Sequence, residues 1–543
     1  MTALPSRIIA FADRRPKLVA LALGAISATG FAPLHLWPLT LLAFAAWIAL
    51  VARSNRGWRA FGTGWTFGIG HFVAGLSWIA TAFTYQAAMP AWLGWIAVGL
   101  LSLYLAVYPA LAAWGAWGVR RLWNPGPAGA TLSFILAFAA LWTFTEWLRS
   151  WVFTGFAWNP LGAFLVPLSL AGPATIVGTY GLAALVLLWT GWGLLLAPKW
   201  AQMFREGVRD GTFLSAFMLG PVLFFGFPVL FMWAGNLGSA EFVGFPSTNI
   251  PISVVQPNVG QEDKWEGSKA DANFAKLARL TTPKDDKPRL ILWPEAAVPD
   301  YLEAGYPAPY YDRSPVEARM RLIKLMNPDD LMLLGALKLE LDKSGDVVGA
   351  RNAVMTVHAN ATLGPRYDKA HLVPYGEYLP MRPILSALGL SRLAPGDIDY
   401  WPGPGARTLD LGAFGQAGLQ ICYEIIFSGQ VVDRAHRPDF IFNPSNDAWF
   451  GGWGPPQHLA QAQLRAIEEG LPVVRATPTG ISAVIDANGR IVESLPMHAA
   501  GRIDTFIPKA HAPTLFARFG NMLPVGFALL LLALAIAFRR RGR

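Results

Sequence analysis

Three side chains in the second half of the chain could together transfer an acyl group: a thiol, a carboxylate and an ammonium. Cys422, the only cysteine, stands in Gly418-Leu-Gln-Ile-Cys-Tyr-Glu-Ile-Ile-Phe427, where a strand-like run ends and a turn into a helix is expected. A thiol there is expected to face a cleft beside a helix N-terminus, which lowers its pKa and favours the thiolate nucleophile. Glu295 follows another apolar run, in Leu292-Trp-Pro-Glu-Ala-Ala-Val-Pro299. Strand ends are where α/β proteins place their chemistry. Lys369 lies in Arg366-Tyr-Asp-Lys-Ala-His-Leu-Val-Pro-Tyr-Gly-Glu-Tyr-Leu-Pro380, with Glu377 eight residues on. Leu372, Val373, Tyr375 and Leu379 imply that this loop is packed, and His371 reads as structural. A carboxylate can take the thiol proton and return it to a leaving group. An ammonium can stabilise an oxyanion, and a thiol can carry the acyl group as a thioester. Each residue alone has a plainer reading: a small buried hydrophobe for Cys422, a helix-start carboxylate for Glu295, a surface loop for Lys369. Spacing alone does not bring the three together.

The elements that must position them read as an α/β domain over residues 245–510. Strand-like runs at Ile252–Gln256, Leu290–Trp293, Leu331–Leu334, Ala353–Val357, Gly418–Cys422, Phe440–Phe442 and Ser482–Ile485 alternate with helical stretches at 268–280, 315–326 and 458–469. Short buried strands alternating with helices indicate this class.

The rest of the chain is different. Of 543 residues, 53% are hydrophobic and 15% charged, against about 25% charged in soluble domains. Apolar runs lie near 16–34, 37–52, 61–84, 91–118, 129–148, 173–197 and 214–235, and an eighth near 521–538. About 20 apolar residues cross a bilayer as a helix, so eight transmembrane helices are expected. The net charge of +9 sits largely beside these runs. It is the pattern of a membrane protein rather than a nucleic-acid binder. Arg53, Arg56 and Arg59, then Arg120 and Arg121, then Lys199, Arg205 and Arg209 make alternate loops basic. Both termini are therefore expected in the cytoplasm and the α/β domain outside. The first run has the basic front of a signal peptide but reads as uncleaved, since removing it would break the alternation. The expected division is 1–240 with seven helices, 241–515 as the catalytic domain, and 516–543 as a last helix with a basic tail. One cysteine excludes an internal disulfide and a Cys-rich metal site, and no cofactor motif is visible.

The three segments resemble, in order and context, the Glu–Lys–Cys triad of the nitrilase (carbon–nitrogen hydrolase) superfamily. Over nearly its whole length the chain resembles that superfamily's membrane-embedded branch, the apolipoprotein N-acyltransferases. Supporting segments are Gly30-Phe-Ala-Pro33, Glu146-Trp-Leu-Arg149 with Thr154-Gly-Phe156, Gln256-Pro-Asn258 with Lys264-Trp265, and Asn443-Pro-Ser-Asn-Asp-Ala-Trp-Phe-Gly451. The resemblance implies an α-β-β-α sandwich on a helical membrane part. It also implies transfer of an acyl chain from a phospholipid to the N-terminal diacylglyceryl-cysteine of a lipoprotein, by a ping-pong route. Glu295 would be the base, Lys369 the oxyanion partner and Cys422 the nucleophile. Glu377 would be a second essential carboxylate, and Tyr423, Glu424, Asn446 and Trp449 would line or support the site. Trp265 would sit on an arm over the lipid entrance. A monomer without metal or cofactor, in the bacterial inner membrane with a periplasmic catalytic domain, is implied too. Two other readings remain at this level. One is a membrane-tethered amidase or nitrilase that hydrolyses a lipid amide. The other is a transporter or receptor, which the scarcity of ionisable residues in the apolar runs disfavours.

Overall fold

The computed structural model describes residues 10–85, 90–123, 130–206, 226, 246–264, 266–389, 392–393 and 398–539. The chain divides into two compact units: Met1–Ser77, Trp95–Ala240 and Phe519–Arg543 in one, Trp78–Gly94 and Glu241–Arg518 in the other. The short segment 78–94, which sequence alone groups with the apolar helices, therefore belongs to the second unit.

The first unit is helical. The apolar runs become helices at Pro16–Ser27, Trp37–Ala52, Gly57–Gly75, Leu93–Leu105, Val107–Trp123, Leu132–Arg149, Ala174–Glu206 and Met522–Arg539. Where eight spans were expected, three helices among the described residues are long and apolar enough to cross a membrane: Leu93–Leu122, Ala174–Ala197 and Met522–Arg539. A fourth results if Gly57–Gly75 and Ile79–Tyr85 form one broken span, while Pro16–Gly30 and Trp37–Ala52 are shorter apolar helices. The run at 214–235 lies outside the described residues apart from Gly226. The helices pack in the manner expected where lipid removes the usual hydrophobic drive, by close backbone approach and interlocked aromatics. Gly64 and Gly68, four residues apart, face Ala110 and Ala106; a Cβ on either would stand 2.7 Å from the opposing Cα. Trp47 and Phe67 stack at 4.0 Å, with Phe44, Phe138 and Trp142 edge-on around Trp47. Glu146 and Arg149 are buried at a helix end. Arg149 donates to the carbonyls of Phe156 and Trp158, both at 2.8 Å, and Glu146 accepts from Leu161 N at 2.8 Å. The pair thus holds the loop that follows its own helix.

The second unit is a two-sheet sandwich. One sheet has the order β12-β1-β2-β3-β4-β5, the other β11-β10-β9-β8-β7-β6. The strands are β1 Ser247–Gln256, β2 Leu290–Leu292, β3 Leu331–Leu341, β4 Val347–His358, β5 Leu363–Asp368, β6 Thr408–Asp410, β7 Gln416–Leu419, β8 Phe440–Pro444, β9 Val473–Ala476, β10 Ser482–Ile485, β11 Ile491–Leu495 and β12 Gly501–Pro508. β1, β2 and β3 run parallel, as do β7, β8 and β9. Side chains alternate across a strand, and here the alternation separates two cores. Leu290, Leu292, Leu331 and Leu333 point to the other sheet's Leu419, Phe442 and Val474. Ile291, Trp293, Met332 and Leu334 point the other way, to Phe274, Leu277 and Leu322 on the helices Ala270–Thr281 and Pro315–Ile323. Truncating a fully buried residue such as Leu333 to Ala would cost about 2–5 kcal/mol. The sheet carrying β8 and β9 is backed by the Gly454–Glu469 helix, all but two of whose residues are buried. The seven expected strands are all present; β5, β6, β9, β11 and β12 are additional.

Candidate active site

Glu295 leaves the end of β2 through Trp293-Pro294. Its turn lies directly on β3: Gly335 N donates to Pro294 O at 3.2 Å, and Ala297 N to Gly335 O at 2.9 Å. A Cβ on Gly335 would be 2.6 Å from Glu295 Cα and 2.3 Å from Ala296 N. Only glycine lets the carboxylate turn sit there. Lys369 follows β5. Its N–H donates to Asn352 O on β4 at 2.8 Å, and its own carbonyl accepts from Gly403 N at 2.8 Å.

The charged ends of these residues meet inside the domain. Lys369 Nζ is 2.9 Å from Glu377 Oε1 and 3.6 Å from Glu295 Oε1, and its side chain is 1% exposed. Asn352 Nδ2 donates to both carboxylates, to Glu295 Oε1 at 2.7 Å and to Glu377 Oε1 at 3.0 Å. The second oxygen of Glu377 accepts from Val373 N at 2.9 Å and so fixes its own loop. The second oxygen of Glu295 is buried without a partner of regular geometry, and the Cys422 thiol acts on this carboxylate as a donor. Asn352 was not singled out from sequence. Its only signal is an amide directly before the strand-like run Ala353–Val357. Lys264 enters the sequence reading only within the Lys264-Trp265 segment. It is half-buried, and its Nζ donates to Glu295 O at 2.8 Å.

Cys422 sits where β7 gives way to a single five-residue 3-10 turn, Cys422–Ile426, with φ 52°. A left-handed residue other than glycine is strained by about 1–3 kcal/mol and persists only where its surroundings enforce it. Glu424 supplies part of that enforcement. Its carboxylate accepts from Ile421 N at 2.7 Å, Ala370 N at 2.7 Å, His371 N at 2.9 Å and Tyr367 Oη at 2.9 Å. It therefore ties the cysteine turn to the Lys369 loop rather than facing a substrate. Tyr423 is buried edge-on to both rings of the stacked pair His371 and Phe427, with centroids at 5.7 and 5.1 Å. Asn446, with its amide set to satisfy its neighbours, accepts from Lys264 Nζ at 3.2 Å and Trp449 Nε1 at 3.1 Å. Trp449 packs edge-on to Tyr85 at 6.0 Å. Trp265 lies outside the described residues.

The electrostatics correct the expectation for the thiol. Cys422 is 5% exposed rather than open to a cleft, and one 3-10 turn offers little dipole. Burial, and then the Glu295 charge, push the thiol well above its ordinary value, against Lys369 and the Asn446 N–H. Burial also works against ionised Glu295, yet Lys369, Lys264 and Asn352 outweigh it and hold the carboxyl below the usual range. Burial opposes the Lys369 charge, but Glu377, Glu295 and Cys422 prevail and raise it. Burial brings Lys264 down to about 8 and pushes Glu424 up to about 7 against its N–H donors. These directions describe a resting site with a protonated thiol beside an ionised carboxylate and an ammonium.

A chain with this sandwich and these apolar helices falls in the class of membrane-associated carbon–nitrogen hydrolase-type proteins. The Carbon-nitrogen hydrolase family model matches residues 251–507, and the Apolipoprotein N-acyltransferase N-terminal domain model matches residues 23–192. The chain is 33% identical over 542 residues to the apolipoprotein N-acyltransferase of Rhodopseudomonas palustris, covering 96% of this chain and 95% of that one. It is 34% identical to the Brucella melitensis apolipoprotein N-acyltransferase, over 94% of this chain and 93% of that one. The chain belongs to the apolipoprotein N-acyltransferase family. Among solved structures, Saccharomyces cerevisiae Nit3, a member of branch 10 of the nitrilase superfamily, is similar at TM-score 0.32 and 20% identity, over 51% of this chain and 94% of that one.

Proposed function

We propose that this protein transfers an acyl chain from a membrane phospholipid to the α-amino group of an apolipoprotein's N-terminal diacylglyceryl-cysteine, through a thioester on Cys422. The observation that carries the reading is the convergence of three groups. Glu295 and Lys369 stand 3.6 Å apart in a buried site, and the Cys422 thiol acts on both. Glu295 takes the thiol proton as sulfur attacks the ester carbonyl. Lys369 and the Asn446 N–H stabilise the oxyanion. Collapse breaks the ester C–O bond, and the lysophospholipid leaves with the proton from Glu295. The lipoprotein amine then attacks the thioester, gives a proton to Glu295, and forms the amide as the sulfur departs and is reprotonated. Asn352 and Glu377 hold the two reacting charges in register. Burial of the site limits loss of the thioester to water. The names and nearly full-length similarity of the relatives support this reading over lipid-amide hydrolysis.

The test is mass spectrometry of the purified enzyme after incubation with phospholipid. An acyl adduct on Cys422, absent from Cys422→Ala, is expected; an unmodified Cys422 in active enzyme would remove it from the mechanism.

The topology belongs to the same proposal, as does a monomeric state. Eight spans, cytoplasmic termini and a periplasmic catalytic domain over 241–515 fit the alternating basic loops. They would also place the thiol at the level of lipid headgroups. Ser344 is exposed. A single Cys placed there in a Cys422→Ala background should react with a membrane-impermeant maleimide in intact cells whose outer membrane is permeabilised. Labelling only after inner-membrane rupture would reverse the orientation.

A further inference from the structure

A second buried polar cluster lies against the other side of the cysteine turn. His458, Arg465 and Glu468 are seven and ten residues apart and so share one side of the Gly454–Glu469 helix. That side grips the turn at successive points. His458 Nε2 is 3.1 Å from Cys422 O, Arg465 donates to Ile426 O at 3.0 Å, and Ser428 Oγ donates to Glu468 Oε1 at 2.6 Å.

A carbonyl only accepts, so Nε2 carries the proton in the His458–Cys422 contact. On the ring's other nitrogen, Nδ1 is 2.9 Å from Arg475 Nη2 and 3.0 Å from Asp447 Oδ1. Arg475 also donates to Asp447 Oδ1 at 2.6 Å and Oδ2 at 2.5 Å, and to Asn443 Oδ1 at 2.5 Å. Burial, then Arg475, hold the imidazole below its ordinary value, so the ring is neutral. A neutral ring that donates from Nε2 must accept at Nδ1, and Arg475 supplies that donor. All three side chains are fully buried, which makes an unpaired arrangement costly. The cluster also reaches the sulfur by a second route, because Asp447 directly follows Asn446, whose N–H bears on Cys422.

We infer that His458 is a positioning residue for the proposed acyl transfer: its Nε2–H, with the tautomer set by Arg475 and Asp447, holds the Cys422 carbonyl and with it the left-handed turn that aims the sulfur at Glu295. The inference rests on the reading that Cys422 is the nucleophile. It does not require His458 to touch substrate or exchange a proton in the reaction.

Two polar substitutions separate this role from mere packing. The carboxamide of His458→Gln can reach the position of Nε2 and donate to Cys422 O. The shorter His458→Asn can occupy the Nδ1 position but cannot reach the carbonyl. Purified full-length variants are mixed with phospholipid vesicles, and the rate of adduct formation on Cys422 is followed by mass spectrometry at several lipid concentrations. H458Q is expected to form the thioester within about tenfold of the parent rate. H458N should fall about 100-fold, the order of loss when a reacting group is misplaced by an ångström, with the half-saturating lipid concentration unchanged. Equal rates in the two variants, whether both fast or both slow, would overturn the inference. So would a loss confined to the half-saturating concentration. Failure of the parent itself to form an adduct would instead strike the functional reading on which the inference rests.

Discussion

The two polar clusters that flank Cys422 are both buried, yet they are built to opposite ends. The cluster of Glu295, Lys369, Glu377 and Asn352 leaves one Glu295 oxygen without a regular partner, and its lysine stands 3.6 Å from that carboxylate. The cluster of Asp447, His458 and Arg475 is tight: both Asp447 oxygens are taken by Arg475 at 2.5–2.6 Å. A buried polar group without a partner costs about 1–3 kcal/mol. Each cluster bears such a cost at one atom, Glu295 Oε2 in the first and Arg475 Nε in the second, but only in the first does it fall on a carboxylate on which the Cys422 thiol acts. On the proposed function, a single strained residue, Cys422, stands between the groups that react, Glu295 and Lys369, and the groups that hold structure, Asp447, His458 and Arg475.

The sharpest way to break that contrast is Glu295→Gln. Loss of a general base should lower thioester formation by about 10²–10⁴-fold, with little change in melting temperature. The same variant should alkylate faster with iodoacetamide at alkaline pH than the parent does. The Glu295 charge is one of the influences holding the thiol high, and its removal frees the thiolate. Slower alkylation than the parent at every pH would show that Glu295 is not what restrains the sulfur.

Asp447→Asn probes the other side. Removing the partner of a buried Arg475 should destabilise the domain by about 3–5 kcal/mol, read as a lower melting temperature of the detergent-solubilised enzyme. An unchanged melting temperature would mean that the second cluster is not committed to structure.

Lys369→Met should slow thioester formation by about 10²–10³-fold, the loss typical of one oxyanion donor. Its stability effect has a defined pH sign. Glu295 is held below its ordinary 4.5, so its contribution is present above 4.5 and is lost as pH falls through the lowered value. Lys369 is raised above 10.5, so its contribution is present below 10.5 and is lost as pH rises through the raised value. The pair therefore stabilises across the whole neutral range. In the variant two carboxylates face each other uncompensated, and the deficit relative to the parent should be smaller at about pH 5 than at about pH 8. A deficit that does not shrink with acid would mean the lysine's role is packing. The smallest effect is expected at Asp271, whose side chain is 66% exposed although it meets Arg313 and Arg321. Asp271→Asn should leave melting temperature and acylation unchanged, since screened surface pairs contribute little.

The amino-acid sequence by itself determined what local pattern can carry. Short, continuously apolar runs specified seven strands, because a strand buried on both faces is apolar at successive positions. The apolar runs specified where the helices of the first unit form. The types of Glu295, Lys369 and Cys422 are those an acyl transfer needs, although their spacing alone does not bring them together. What escaped was whatever depends on distant chain segments. The short or polar strands β5, β6, β9, β11 and β12 carry weak periodicity and form because a neighbour offers its edge. Asn352 reads as one amide in a strand until two carboxylates from other loops close on it. Glu424, expected to line the site, is instead surrounded by four donors from the Lys369 loop and its own turn. The state of the thiol escapes the sequence for the same reason. A neighbouring helix end can be guessed from sequence, but burial and a carboxylate 127 residues away in the chain cannot. Only tertiary structure sets the dielectric and the distances on which a pKa depends, and at Cys422 these outweigh anything its own segment supplies.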